Sequence, residues 1–296
     1  MIVIHIVSGY HLASSDRAGD AVLITGCSSG IGRATALALA RAGFPVWASA
    51  RRGAGLAELA QAGCRVLDLD VTDERSRARA VAQVEAEHGA VGVLINNAGH
   101  GGGGPVEEVP LDLVREVFDT NVFGLVRMCQ LVLPGMRARG RGHIVNLGSA
   151  AGLVTPPTGC PYAMSKYALE SLSDALRLEV APFGIRVSLI EPGAVRTEFL
   201  ANSARHSPAD NGAGPYAGFK ANVAAMTARA HREGARTVLT ADEVAQVILK
   251  AVTARRARAR YKVGAQARAA PVARRLLGDR GWDAMMRRVV PLPGAR

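Results

Sequence analysis

Paired cysteine is missing from this chain. Cys27, Cys64, Cys129 and Cys160 form no CxxC and no paired spacing. That argues against a disulfide framework and a zinc knuckle, leaves no metal site to expect, and makes a reducing, cytoplasmic setting the expected one. Long apolar runs are also missing: none approaches the ~18 residues of a membrane-crossing helix. Residues 1–7 (MIVIHIV) have no basic flank before them, are broken by His5 and lack a small-residue cleavage site. They make a poor secretory signal. Acids, finally, are scarce at the end of the chain. Residues 251–296 hold twelve Lys/Arg against only Asp279 and Asp283, a net +10, while the first 250 residues carry 24 bases against 23 acids. The overall +11 is therefore a property of the tail, and a protein that wraps nucleic acid over its whole surface is not expected.

What remains is a 296-residue chain, 49% hydrophobic and 21% charged, enough for one substantial core. Residues 8–20 are polar, and residues 1–19 read as a loose arm. Short apolar segments then recur: Ala21–Thr25, Pro45–Ala50, Arg65–Leu69, Gly92–Ile95, His143–Leu147, Ile185–Ile190 and Arg260–Val263. Most are continuously apolar, as in strands covered on both faces. Amphipathic Ala/Leu-rich runs such as Arg33–Ala42 and Ala168–Val180 lie between them. The alternation predicts an α/β fold of about seven strands, a single doubly wound parallel sheet with helices on both faces, over residues 20–264. No repeat and no second core is visible. Residues 200–240 read as an irregular insertion and a substrate lid.

In such sheets ligands bind beyond the carboxyl ends of the strands. The first strand ends in Gly26-Cys27-Ser28-Ser29-Gly30-Ile31-Gly32, followed at once by a helix. Glycines let backbone approach a phosphate, and the helix start supplies free N–H groups. The same residues also fit G-x-S-x-G, the nucleophile turn of serine hydrolases, with His100-Gly101-Gly102-Gly103 as an oxyanion loop. The order argues against that alternative, because the glycines follow Ser28 by about seventy residues, whereas hydrolases place that loop first. The second strand ends in Arg51-Arg52, with no acid at residues 48–50. An arginine there suits the 2′-phosphate of NADP(H), whereas an acid would suit NAD(H), so NADP(H) is expected with NAD(H) still open. Asp70-Val71 ends the third strand, where the carboxylate is either an adenine partner or a helix cap. Asn97-Ala98-Gly99 ends the fourth, Ser149 follows the fifth, and Pro192-Gly193-Ala194-Val195-Arg196-Thr197 follows the sixth. Tyr162 and Lys166 stand four apart, on one helix face. An ammonium beside a phenol favours phenolate, so a lowered Tyr162 pKa is expected.

Together these motifs, in this order and with Ser149 thirteen residues before Tyr162, resemble the short-chain dehydrogenase/reductase family over about residues 20–265. The resemblance implies a Rossmann-type fold and hydride exchange between a nicotinamide cofactor and a small-molecule carbonyl or alcohol. It implies Tyr162 as general acid/base, Lys166 as the group that tunes it and holds the nicotinamide ribose, and Ser149 as the partner of the substrate oxygen. Asn121 would anchor a water in a proton relay. Gly26, Ser28, Ser29, Gly30, Ile31 and Gly32 would cradle the pyrophosphate and adenosine side, with Arg51, Asp70 and Val71 also on the adenosine side. Asn97, Ala98 and Gly99 would line its ribose, and Pro192, Gly193, Val195 and Thr197 the nicotinamide end.

The glycine motif, the Arg51 pair, Arg260–Gly264 and the extended tail resemble the retinol and 17β-hydroxysteroid dehydrogenase branch, which implies lipophilic substrates. A 3-oxoacyl-carrier-protein reductase-like enzyme and a non-catalytic NADP-binding regulator are the alternatives. A homo-dimer or tetramer through the helices bearing Asn121 and Tyr162 is expected by analogy. The run Gly101–Gly104 departs from the family and reads as unusual slack. The basic extension 265–296 reads as two helices, 265–277 and 281–290. Their apolar residues (Val272, Leu276, Leu277; Trp282, Met285, Met286, Val289) are expected to pack on the body, with peripheral membrane contact as the second reading.

Overall fold

The structure, a computed structural model, describes residues 19–207, 212, 214–231 and 238–290. The strands are β1 (Val22–Ile24), β2 (Val46–Ala50), β3 (Arg65–Asp68), β4 (Val93–Asn96), β5 (Gly142–Leu147), β6 (Ile185–Pro192), β7 (Val195–Arg196), β8 (Leu239–Thr240) and β9 (Arg260–Val263). Seven of them form one parallel sheet in the order β3-β2-β1-β4-β5-β6-β9, and β7 and β8 form a separate two-stranded ribbon. The helices are α1 (Gly30–Arg41), α2 (Ala57–Gln61), α3 (Glu74–His88), α4 (Leu111–Phe118), α5 (Leu125–Ala138), α6 (Cys160–Val180), α7 (Phe199–His206), α8 (Ala217–Ala230), α9 (Ala241–Thr253) and α10 (Ala265–Val289). A π-type turn, Asp119–Gly124, joins α4 to α5.

The order reverses direction at β1, so β1 and β4 diverge into helices on opposite faces and leave a crevice at their carboxyl ends. The inner strands β1, β2, β4, β5 and β6 do what continuous hydrophobicity demands, burying both faces, while the edge strands β3 and β9 stay partly exposed. One layer joins Leu23, Leu94 and Ile144 to Met128, Val132 and Leu169. The other joins Ile24, Ile95 and Val145 to Leu39, Val244 and Ile248. Each such side chain contributes about 1.5–3 kcal/mol on burial. On the second face α1 meets α9 through small residues, Ala34 and Ala38 against Ala245. Thr240 and Glu243 close a reciprocal capping box at the start of α9.

Two expectations about order change. Residues 200–240 are not irregular where described: α7 and α8 occupy much of the span, because alanine-rich Ala217–Ala230 outweighs the flanking Gly/Pro/Asn cluster. Residues 208–211, 213 and 232–237 of that lid, and residues 1–18 of the arm, lie outside the described residues. Nor is Gly101–Gly104 slack. A methyl on Gly101 would sit 2.7 Å from Ser203 Oγ and 3.0 Å from the Phe199 ring, one on Gly102 2.7 Å from Leu113, and one on Gly103 2.1 Å from the Thr158 carbonyl oxygen. Gly104 N–H donates to that same carbonyl at 2.8 Å, and Gly103 N–H donates to Ser207 Oγ at 3.0 Å. The glycines are absent side chains in a tight seam.

The tail forms helices where expected, with Gly278 (φ 61°, ψ −176°) breaking α10 in two. Its apolar residues, however, do not all pack on the body. Leu276 is 80% and Val272 55% exposed, Leu277 and Val289 are exposed too, while Trp282, Met285 and Met286 are half-buried. The reason is rotational: within α10 only Ala267 is fully buried, which turns positions 268, 272, 275 and 276 outward. Arg260, counted with the tail by charge, belongs to the body, where it pairs with Glu170 at 3.0 Å, Asp174 at 2.7 Å and Glu191 at 3.5 Å.

Adding one methyl at Gly103 forces backbone apart, so Gly103→Ala should cost about 1–3 kcal/mol in urea unfolding. Gly55→Ala, where a methyl meets nothing within 4 Å, should stay within about 0.5 kcal/mol of the parent. Equal midpoints for the two variants would refute the tight seam.

Candidate active site

The carboxyl end of β1 turns through Gly26 (φ 73°) and Gly30 (φ 56°) into α1. A methyl on Gly26 would meet Ala98 Cα at 2.8 Å, and one on Gly32 the Gly26 carbonyl oxygen at 2.3 Å. Only glycine fits either place. The turn is tied to the end of β4 on both sides. Asn97 Nδ2 donates to the carbonyls of Thr25 (2.9 Å) and Gly26 (2.8 Å), and Thr25 Oγ1 accepts from the N–H groups of Asn97 (3.0 Å) and Ala98 (2.9 Å). Ser28 is exposed and Ser29 caps α1 without a side-chain hydrogen bond. No acid occupies the first turn. The cradle that a Cβ would fill, with helix N–H groups above it, therefore fits the pyrophosphate of a dinucleotide. Ile31 packs into the sheet layer beside it. Gly30 faces Thr197, a methyl there falling 3.1 Å from Thr197 Cγ2, so the first and sixth strand ends meet.

Arg51 and Arg52 are exposed beyond β2, and the following turn is held by Gly53 N–H donating to Asp68 Oδ1. Asp70 binds its own loop: Oδ1 accepts from Thr72 N–H (2.9 Å) and Thr72 Oγ1 (2.7 Å), while Asp73 is the residue that caps α3. Val71 is buried and its carbonyl oxygen would lie 2.5 Å from a methyl on Gly124. Pro192 ends β6, and Gly193 N–H donates to Val263 O at 3.0 Å. Val195 sits in the β7–β8 ribbon.

Ser149 follows β5, and its Oγ accepts from Ala151 N–H at 3.1 Å. Tyr162 and Lys166 stand on the first turns of α6, where Pro161 at the start suits a helix entry. Lys166 Nζ donates to Leu147 O at 2.6 Å and lies 5.5 Å from the Tyr162 ring centroid. Burial pushes the Tyr162 phenol up to about 12, a hydrogen bond with Ser149 pulling the other way. Burial also pulls the Lys166 ammonium down to about 8. The expected lowering of the Tyr162 pKa is thus not found; burial outweighs the neighbouring ammonium. The ammonium addresses a carbonyl and the ring face, and both groups have lost water.

Asn121 is 1% exposed within the π-type turn. Its Oδ1 accepts from His100 N–H (3.0 Å), and its Nδ2 donates to His100 O (2.9 Å) and Ser165 Oγ (3.0 Å). Ser165 Oγ donates in turn to Tyr162 O at 2.7 Å. The side chain thus ties the β4 loop, near Gly99, to α6.

Several neighbours carried no signal in the sequence. The Phe199 ring lies 5.1 Å from that of Tyr162, and His206 lies 5.0 Å from His100, so α7 covers the site. Gln266 Oε1 accepts from Ala194 N–H at 3.1 Å. Behind α6, Glu191 is fully buried with neither carboxylate oxygen hydrogen-bonded, and burial beside Glu170 raises its pKa. Phe199 lies two residues past Thr197, but only the turn of α7 aims it at Tyr162.

A dinucleotide cradle facing a serine, tyrosine and lysine defines an α/β oxidoreductase site. Residues 20–208 match the short chain dehydrogenase model, and the chain belongs to that family. It is 34% identical over 269 residues to a probable short-chain type dehydrogenase/reductase of Helicobacter pylori, covering 90% of this chain and 97% of that one. It is 42% identical to human retinol dehydrogenase 8, over 60% of each chain. It is 44% identical to human 17-beta-hydroxysteroid dehydrogenase type 1, over 60% of this chain and 58% of that one. Among solved structures, a Streptomyces avermitilis short-chain dehydrogenase matches with TM-score 0.76 and 34% identity, over 91% of this chain and 97% of that one. A Burkholderia phymatum member in complex with NAD gives 0.73 and 29%, over 94% and 98%. A serine dehydrogenase complexed with NADP+ gives 0.70 and 29%, over 82% and 94%. This chain is therefore an oxidoreductase of the NAD(P)-binding short-chain class, and the serine-hydrolase alternative falls.

Lys166 predicts a pH signature. Its folded pKa lies below its unfolded value, so folding costs free energy while both states are protonated, and the cost fades as pH rises from about 8 towards 10.5. The cofactor-free Lys166→Met variant should be the more stable protein near pH 7, by at most about 3 kcal/mol. Thermal melts should show that gap narrowing towards pH 10. A gap constant across this range would show that Lys166 is not desolvated in the folded state.

Proposed function

We propose that this protein is an NADP(H)-dependent carbonyl reductase/alcohol dehydrogenase for lipophilic substrates, with Tyr162 as proton donor and acceptor. The observation that supports it is the grouping of Ser149 and Lys166 on Tyr162 under the ring of Phe199, two residues from the Thr197 that meets Gly30 of the glycine turn. When bound, the cofactor supplies or accepts the hydride. Tyr162, protonated in its buried setting, gives its proton to the carbonyl oxygen as negative charge develops there, and takes it back in the reverse direction. Ser149 hydrogen-bonds that oxygen and orients the phenol. Lys166, anchored on Leu147 O, brings positive charge beside the phenol and would hold the nicotinamide ribose.

Gly26, Ser28, Ser29, Gly30, Ile31 and Gly32 hold the pyrophosphate side. Asn97, Ala98 and Gly99 line the adenosine ribose, with Asp70 and Val71 beside the adenine. Pro192, Gly193, Val195 and Thr197 take the nicotinamide end. Asn121 acts as a positioning residue for α6 and for a relay water. Arg51, exposed past a strand with no acid at residues 48–50, suits the 2′-phosphate and supports NADP(H) over NAD(H). The aromatic cover over Tyr162 and relatives named for retinol and a steroid support an apolar substrate. Homo-oligomerisation and a cytoplasmic location remain part of this reading by family analogy.

Tyr162→Phe should lower kcat by about 10²–10⁴-fold with NADPH binding, followed by fluorescence, intact. No NADPH oxidation by the parent on any of a panel of long-chain ketones, retinoids and steroids would favour a cofactor-binding regulator. Arg51→Ala should weaken NADPH by about 1.5–3 kcal/mol and leave NADH unchanged. An unaltered ratio of the two affinities would show that Arg51 does not read the phosphate.

A further inference from the structure

The outer face of α10 joins two properties that seldom lie together on a surface left to water. Val272 and Leu276 are exposed side by side, one turn apart, and Arg268 and Arg275 project from the same stripe. Leu277 and Val289 are also exposed along the helix, and Arg288 lies next to Val289. The inner face is engaged. Ala267 is buried, Gln266 holds Ala194, and Met286 and Val290 line a cavity of about 170 Å³ with Pro157 and Phe219. Across the break at Gly278, Arg274 pairs with Asp279 at 2.6 Å and lies 5.7 Å over the Trp282 ring, holding the two halves to one another. The outward face is thus presented by a braced element.

We propose that this face of α10 docks on the anionic surface of a lipid bilayer. A basic helix with an apolar stripe binds such an interface by burying the stripe among acyl chains while its arginines meet the headgroups. α10 itself holds six arginines against only Asp279 and Asp283, an excess that orients the molecule helix-first towards negative charge. A second copy of the chain is the poorer occupant, because a two-fold contact sets the same arginines against each other. A polynucleotide offers nothing apolar to Val272 and Leu276. Pro157 adjoins Thr158, which packs on Gly103 of the active-site seam, so the inner face of the docked helix borders the mouth of the site. Docking does not depend on the substrate class proposed above and is tested without turnover.

Full-length protein should sediment with phosphatidylcholine/phosphatidylglycerol vesicles at about 0.01 M salt, weakly with phosphatidylcholine alone, and much less at about 0.5 M salt. The double variant Arg268→Gln/Arg275→Gln should lower the anionic partition coefficient roughly 30-fold, from about 1 kcal/mol per arginine. Val272→Gln/Leu276→Gln, which leaves the charge unchanged, should lower it about tenfold or more. All four positions are exposed, so thermal midpoints should match the parent and confirm folding. The proposal is overturned by absence of sedimentation with anionic vesicles at low salt, or by equal binding to neutral and anionic vesicles. It is overturned equally by parental binding in either double variant. A solution mass that halves in Val272→Gln/Leu276→Gln would assign the face to a second copy of the chain instead.

Discussion

The candidate site hangs on one polar spine running from the first strand to α6. It begins where Asn97 donates hydrogen bonds to Thr25 and Gly26 around the glycine turn. It passes along the β4 loop to His100, crosses to Asn121, and reaches the Tyr162 carbonyl through Ser165. Each link is a small net contribution, about 0.5–1.5 kcal/mol, yet a buried amide stripped of a partner costs more than the bond contributed. The spine therefore acts less as glue than as a ruler. It spaces the glycine turn and the Tyr162–Lys166 pair at a distance neither hydrophobic layer could set alone, since apolar packing tolerates small slides that hydrogen bonds do not.

The parts of the molecule legible in sequence were those with local causes. Continuous apolar runs marked the inner strands within a residue or two, because burial on both faces leaves no polar position to alternate with. Tyr162 and Lys166 could be paired because helix geometry alone puts them on one face. Gly278 was legible as the gap between two tail helices. What stayed hidden was contact between distant segments. Nothing in Gly101–Gly104 distinguishes a flexible loop from a crowded one until Phe199, Leu113 and Thr158 are set against it. Phe199 over Tyr162, and the arginine–carboxylate group around Arg260, join residues tens of positions apart. The outward turn of α10 depends on which side of the helix meets the body, and an even ring of alanine and arginine does not encode that.

Tyr162 and Lys166 show how burial and charge pull apart. Burial holds Tyr162 protonated and weakens the charge on Lys166, two states the folded protein reaches by giving up hydration. A chain selected only for stability would place a hydrocarbon at 166. Keeping a lysine there, tethered to the Leu147 carbonyl, is the sort of local sacrifice that marks functional positions.

The seam at Gly101–Gly103 also bears on how the site can diversify. Its bare backbone is meshed at contact distance with α7, with Leu113 and with the Thr158 carbonyl. No side chain can be grafted onto that backbone without pushing the facing one away. Sequence change at this seam is then open on the facing elements and closed on the glycine side.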